Sequence, residues 1–77
     1  MTNDKILELV LRSIPYFHQL KDFDTTLPKC IQFSWRGSTY RVSESLSVEE
    51  VEGNILAGTD SAILMSALLK SVRKIES

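Results

Sequence analysis

The chain has 77 residues, 43% of them hydrophobic, and a net charge of −1. This length predicts one small domain over residues 1–77. Near-neutral charge argues against a dedicated nucleic-acid binder, which is normally basic. Cys30 is the only cysteine, so a disulfide within the chain is excluded. With no signal peptide or membrane-length apolar run in the sequence, we expect a cytoplasmic protein that does not enter a membrane.

An N-terminal helix is the first predicted element. Residues 4–12 are good helix formers, and Thr2 or Asn3 can cap them. Ile6 and Val10 follow helical spacing, while Leu7 and Leu11 widen the apolar stripe on an adjoining face. A stripe this wide is typical of a helix that lies between two layers or against another chain.

Pro15 interrupts this helix. Proline lacks the backbone N–H and disfavours helical backbone angles at Ile14. The helix therefore either kinks at Pro15 or breaks there, and both alternatives predict helix over residues 15–20, with Phe17 in the core. Residues 21–29 are rich in turn formers and are predicted to be a connector.

Residues 31–43 predict a β-hairpin, because apolar and polar side chains alternate on both sides of a Gly-Ser dipeptide. Glycine suits the first central position of a type II′ turn, which places the turn at Gly37-Ser38. That turn pairs Trp35 with Tyr40 and Phe33 with Val42. All four side chains then lie on the apolar face, which the flanking helices must cover.

The stretch after the hairpin has two interpretations. Ser47 and Glu50 have the spacing of a capping box, which favours a short helical turn over residues 48–52. The alternative is a third strand in which Leu46, Val48 and Glu50 alternate with polar neighbours. In both cases Gly53-Asn54 ends the element.

The last predicted element is a helix over residues 61–75, capped by Thr59 or Asp60. We therefore predict an α+β fold. A two- or three-stranded antiparallel sheet is covered by an N-terminal helical segment, kinked or broken at Pro15, and by the C-terminal helix. The predicted core consists of Ile6, Val10, Phe17, Phe33, Trp35, Tyr40, Val42, Leu64, Leu68 and Val72.

Two short resemblances give alternative functions. Asp60-Ser61 at a helix start resembles the loop on which acyl carrier proteins carry phosphopantetheine, which implies a modified Ser61. Ala62, however, stands where that family has leucine, and a helix cap accounts for the same residues. The order helix, hairpin, possible strand and helix resembles double-stranded-RNA-binding domains. This alternative would use Arg36, Arg41 and the 70–74 end of the last helix, but the start of that helix carries no cation.

Enzymatic chemistry has no support in the sequence. His18 is the only histidine, no Cys/His cluster has metal-ligand spacing, and no glycine-rich phosphate loop is present. We therefore expect no catalytic residue, no cofactor and no metal.

Apolar excess on both helices, together with the open edges of the hairpin, predicts a non-enzymatic protein-interaction module or assembly subunit. The partner would be another protein or a second copy of the chain, as in a homodimer. The candidate interaction surface combines polar hairpin residues with apolar residues on the helix flanks: Arg36, Thr39, Arg41, Leu7, Leu11, Ile63 and Leu69.

Overall fold

Four antiparallel strands form the sheet in the computed structural model, which describes the backbone of residues 2–76 and the side chains of residues 2–70. The fold is α+β, but the predicted two- or three-stranded sheet is wrong. The strands lie in the order β1-β2-β3-β4. The elements are helix α1 (Asn3–Ser13), a short 3-10 helix (Phe17–Gln19), strands β1 (Lys21–Asp24), β2 (Cys30–Trp35), β3 (Ser38–Ser43) and β4 (Val48–Glu52), and helix α2 (Ala57–Glu76).

Strand β1 lies where the sequence predicted a connector, and β4 corresponds to the third strand that was predicted only as the alternative to a helical turn. Strand β4 replaces the predicted helical turn over residues 48–52, because Val48 pairs with Val42 and is buried against the core. Its next residue, Glu49, lies opposite Arg41, a cross-strand pair of opposite charge. Strand β1 lies in the predicted connector and pairs Lys21 with Ser34. Tertiary pairing therefore outweighs the local turn signals in both segments.

The hairpin turn lies one residue earlier than predicted. Trp35 pairs with Ser38 and Phe33 with Tyr40, so the two-residue turn is Arg36-Gly37. Both turn residues have positive φ, +52° and +81°, as a type I′ turn requires. The predicted type II′ turn and the predicted pairs Trp35–Tyr40 and Phe33–Val42 are wrong. Each residue of β2 pairs with a β3 residue two positions away from the predicted partner. Because side chains alternate with a period of two, the same residues share the apolar face, and Ser38 lies on that face as well.

Helix α1 ends before Pro15. The Thr2 hydroxyl caps its N-terminus by accepting a hydrogen bond from Lys5 N at 3.2 Å. At the other end, Ile14 has extended backbone angles (φ −99°, ψ 108°), as expected for a residue that precedes proline. The predicted helix over 15–20 is reduced to the 3-10 turn Phe17–Gln19. Phe17, which helical spacing placed in the core, is 46% exposed because that spacing ends at Ser13.

Both helices pack on one face of the sheet and share one hydrophobic core with it. Eight of the ten predicted core residues are confirmed as buried: Ile6, Val10, Phe33, Trp35, Tyr40, Val42, Leu64 and Leu68. Phe17 is the exception, and the side chain of Val72 lies outside the described residues. Helix α2 begins at Ala57, earlier than the predicted caps Thr59 and Asp60. Asp60 consequently lies inside the first turn of the helix and is buried.

Candidate functional site

A polar cluster lies where the β2–β3 turn meets the first turn of α2. The guanidinium Nη1 of Arg36 is 3.4 Å from Oδ1 of Asp60. Arg36 also lies over the Trp35 ring, 5.4 Å from its centroid. Asp60 is 2% exposed, and its second oxygen, Oδ2, is buried without a hydrogen bond. The half-exposed Arg36 is therefore the charged partner of a buried carboxylate.

Asn54 fixes the loop between β4 and α2 to this cluster. Its Nδ2 donates to the backbone oxygen of Arg36 at 3.1 Å, and its Oδ1 accepts from Leu56 N at 2.9 Å. Its backbone N–H donates to the buried Ser38 hydroxyl at 3.3 Å. These bonds determine the path of residues 53–56 and leave the side chain of Ile55 98% exposed.

Two tyrosines border the cluster. The Tyr16 ring stacks on Trp35, with centroids 5.0 Å apart and an interplanar angle of 14°. Burial raises the pKa of the Tyr16 and Tyr40 phenols, and the negative charge of Asp60 raises both pKa values further. Ser38 lies near the Tyr40 hydroxyl and opposes this pKa rise, but their geometry is not that of a hydrogen bond.

The outer side of β4 is an open sheet edge. Strand β3 is its neighbour on one side, and residues 49–52 are exposed. The strand and the following loop expose three apolar side chains: Val51 (44%), Ile55 (98%) and Leu56 (49%). Residues 48–56 include three glutamates and no lysine or arginine. We call residues 48–52 together with Ile55 and Leu56 the β4 edge site.

The opposite edge, β1, is irregular. Asp22 has φ +54°, and the pairing with β2 shifts between Lys21 and Asp24. Asn3 from α1 donates through its side chain to the backbone oxygens of Thr25 and Leu27, which follow the strand. Such irregular and partly covered edges are poor templates for a further strand.

The structure does not unite the predicted interaction surface. Arg36 is paired with Asp60, while Arg41 lies on the outer sheet face and donates to Gln32 Oε1 at 3.0 Å. Thr39 is half-buried on the same face, opposite Ser34 and Glu52.

The apolar members of that predicted surface lie on the helices, on the other side of the sheet. Leu11, Ile63 and Leu69 are 37%, 41% and 47% exposed, whereas Leu7 is half-buried against the core. Ile63 lines an open groove with Arg12, Tyr16 and Lys70. An interaction at any of these residues stays a prediction.

The residues of the two alternative functions have local partners. Ser61 donates to Gly58 O at 3.0 Å and to Glu50 Oε1 at 3.4 Å, so its hydroxyl belongs to the first turns of α2. Arg41 shares its sheet face with Asp24 and Glu49, which lie in line with it across the strands. That mixture of charges lacks the positive surplus that phosphate binding needs. The side chains of Arg73 and Lys74 lie outside the described residues.

Sequence reasoning missed the residues that define this end of the molecule. The sequence pattern indicated only a turn at Asn54 and a helix cap at Asp60. One signal was available: Ile55 and Leu56 are bulky apolar residues directly after Gly53-Asn54, where turn sequences are normally polar. Their exposure could not be inferred, because it depends on the contacts of Asn54.

Among the residues described, no group of three or more His, Cys, Asp or Glu side chains is placed to hold a metal ion. No helix in the described part of the chain is sufficiently long and apolar to cross a membrane. Comparison with protein families, curated proteins and solved structures finds no match for this chain.

Proposed function

We propose that this chain is a small non-enzymatic protein-interaction module that binds a partner protein through the β4 edge site. The observation that carries the proposal is the 98% exposure of Ile55 on a loop held by Asn54. The β4 edge site also includes the open edge of β4. An open strand edge is, besides exposed apolar side chains, a feature by which proteins recognise each other.

The exposure of Ile55 is a built feature of the loop. Burying an isoleucine side chain stabilises a protein by about 1.5–3 kcal/mol. A loop free to rearrange would gain this energy by turning Ile55 inward. Here Asn54 holds the backbone on both sides through Arg36 O and Leu56 N, so the side chain remains in solvent. Val51 on β4 and Leu56 on the loop add to the exposed apolar area, which favours docking of a partner.

The experiment compares two serine substitutions of exposed isoleucines. Ile55→Ser removes the proposed contact, and Ile63→Ser removes a comparably apolar side chain, 41% exposed, on α2. Tagged wild type and both variants are used for quantitative capture from an extract of the native host. We expect the proteins captured by wild type to fall about tenfold or more with Ile55→Ser and to be retained with Ile63→Ser.

Thermal unfolding followed by circular dichroism serves as the control for folding. Both substitutions replace exposed side chains, so both variants should unfold close to the wild-type temperature. Equal capture by Ile55→Ser and wild type would contradict the proposed surface. Loss of capture with Ile63→Ser alone would move the docking surface to the helix groove.

A further inference from the structure

We infer that the partner supplies an extended, positively charged segment that adds to β4 as a fifth strand of the sheet. This inference rests on the proposed function, since it specifies what the β4 edge site binds. It is carried by the backbone of β4, the charge of the strand and the irregularity of the opposite edge.

The hydrogen-bonding pattern of the sheet shows which backbone groups are available. Ser43 N donates to Ser47 O at 3.1 Å, so these two residues occupy a hydrogen-bonded position of the β3–β4 ladder. Bonded and non-bonded pairs alternate in antiparallel sheets. The next bonded pair is therefore Arg41 with Glu49, and Val42–Val48 and Tyr40–Glu50 are non-bonded pairs. The β3–β4 register shifts only beyond Glu50, between Tyr40 and Thr39, so the regular part of this edge is residues 48–50. The backbone N–H and C=O groups of Val48 and Glu50 consequently point away from β3, toward the open edge.

Charge determines which segment can occupy that edge. Glu49, Glu50 and Glu52 lie within one short strand, and residues 48–56 contain no basic residue. On β3, Glu49 lies opposite Arg41, whereas Glu50 and Glu52 lie opposite the uncharged Tyr40 and Thr39. Opposite charges placed across neighbouring strands stabilise their pairing, whereas like charges oppose it. A segment with lysine or arginine opposite these glutamates fits the edge. An apolar residue beside the basic ones would contact Val51 or the loop residues Ile55 and Leu56.

A second copy of the chain does not fit. Two β4 strands paired antiparallel about a twofold axis would bring the three glutamates of one copy against the three of the other. Pairing β4 with β1 of another copy is disfavoured by the positive φ of Asp22 and by the register shift between Lys21 and Asp24. The occupant is therefore a different protein with an extended basic segment.

The test uses the full chain and a displayed library of random peptides about ten residues long, the upper range of strand lengths. We expect the selected peptides to carry net positive charge and to alternate basic with apolar residues. A synthetic peptide from the selection should protect the amides of Val48 and Glu50 from hydrogen exchange. It should bind Glu49→Gln/Glu52→Gln about fivefold or more weakly than wild type at low salt.

The matched control neutralises two acids elsewhere. Asp4→Asn/Glu8→Gln on α1 changes the net charge by the same amount, with the first residue exposed and the second half-exposed. It should leave peptide affinity unchanged. Selection of acidic or uncharged peptides would contradict the inference that the partner segment is basic. Equal binding to wild type and to the Glu49→Gln/Glu52→Gln variant would contradict it as well. Absence of any selected peptide would overturn recognition of an extended segment.

Two readouts separate the failure of this inference from failure of the proposed function. Peptides that lose affinity with Ile55→Ser but leave the Val48 and Glu50 amides unprotected support the surface and overturn strand addition. Peptides that bind Ile55→Ser as tightly as wild type contradict the proposed surface itself.

Discussion

Arg36 and Asp60 form an ion pair, with 3.4 Å between Nη1 and Oδ1, that connects the β2–β3 turn to the first turn of α2. The two partners differ in environment: the side chain of Arg36 is 50% exposed and that of Asp60 only 3%. Removing the arginine leaves a buried carboxylate without its partner. Removing the acid leaves a guanidinium that can turn toward water, so the two substitutions should not be equivalent.

We predict that Arg36→Ala lowers the free energy of unfolding by about 1–3 kcal/mol and that Asp60→Asn lowers it less. Denaturant titration of both variants and of the double variant measures the coupling. The double variant should be more stable than the sum of the two losses predicts, by about 0.5 kcal/mol or more. Additive and equal losses would contradict an energetic role for the ion pair.

The turn at Arg36-Gly37 gives a second prediction. Positive φ costs an ordinary L-residue about 1–2 kcal/mol, and asparagine tolerates it better. In the Asp60→Asn background, where the ion pair is absent, Arg36→Asn should be about 0.5–1 kcal/mol more stable than Arg36→Ala. Equilibrium unfolding of the two double variants measures this difference. A type II′ turn at Gly37-Ser38 would give no such gain, because Arg36 would then be extended.

The hairpin shows what a sequence pattern can and cannot determine. Alternation between residues 31 and 43 correctly predicted which side chains share the apolar face. It could not separate the two turns, because their pairings differ by two residues and preserve the face. The observed turn depends on Arg36 reaching Asp60 and on Asn54 reaching Arg36 O, both of which are distant in sequence.

The edge strands escaped firm prediction for a similar reason: β1 was predicted to be a connector, and β4 was only the alternative to a helical turn. Residues 21–24 include Asp22 with φ +54°, and residues 48–52 carry three glutamates, so neither segment has the composition of a typical strand. Each becomes a strand by pairing with a hairpin strand that was already predicted. The candidate site at β4 depends on this pairing and was therefore not predictable from local pattern alone.

Gly53 in the loop before α2 and Gly58 in the first turn of α2 should respond in opposite directions to alanine. A Cβ at Gly53 would collide with the Ala57 Cβ and come within 3.0 Å of the Ser38 hydroxyl. Gly53→Ala should therefore cost about 1–3 kcal/mol in unfolding free energy. A Cβ at Gly58 would meet only the flexible Glu50 carboxylate, at 3.5 Å. Gly58→Ala, the matched control, should gain about 0.5 kcal/mol from helix propensity. Thermal melts of both variants measure the two changes in stability. Equal changes would contradict the close packing at Gly53.

Alkaline pH should destabilise the fold through its tyrosines. Burial raises the pKa of Tyr16 and Tyr40 above the ordinary 10.0, so the folded state favours the neutral phenol. Their contribution is complete below that value and is lost as pH rises through the higher folded pKa. Denaturant titrations between about pH 9 and about pH 11 should show falling stability. Tyr16→Phe/Tyr40→Phe should show a shallower decline, and an unchanged slope would contradict this origin.

The strands of the sheet follow one another in space in the order in which they occur in the chain. The connections between them are five, two and four residues long, over 25–29, 36–37 and 44–47. Short connections cost little loop-closure entropy, so relative contact order within the sheet is low. The one distant encounter that folding requires is between α1 and the rest of the core. We therefore expect rapid folding, on the order of milliseconds, with docking of α1 as the slow event.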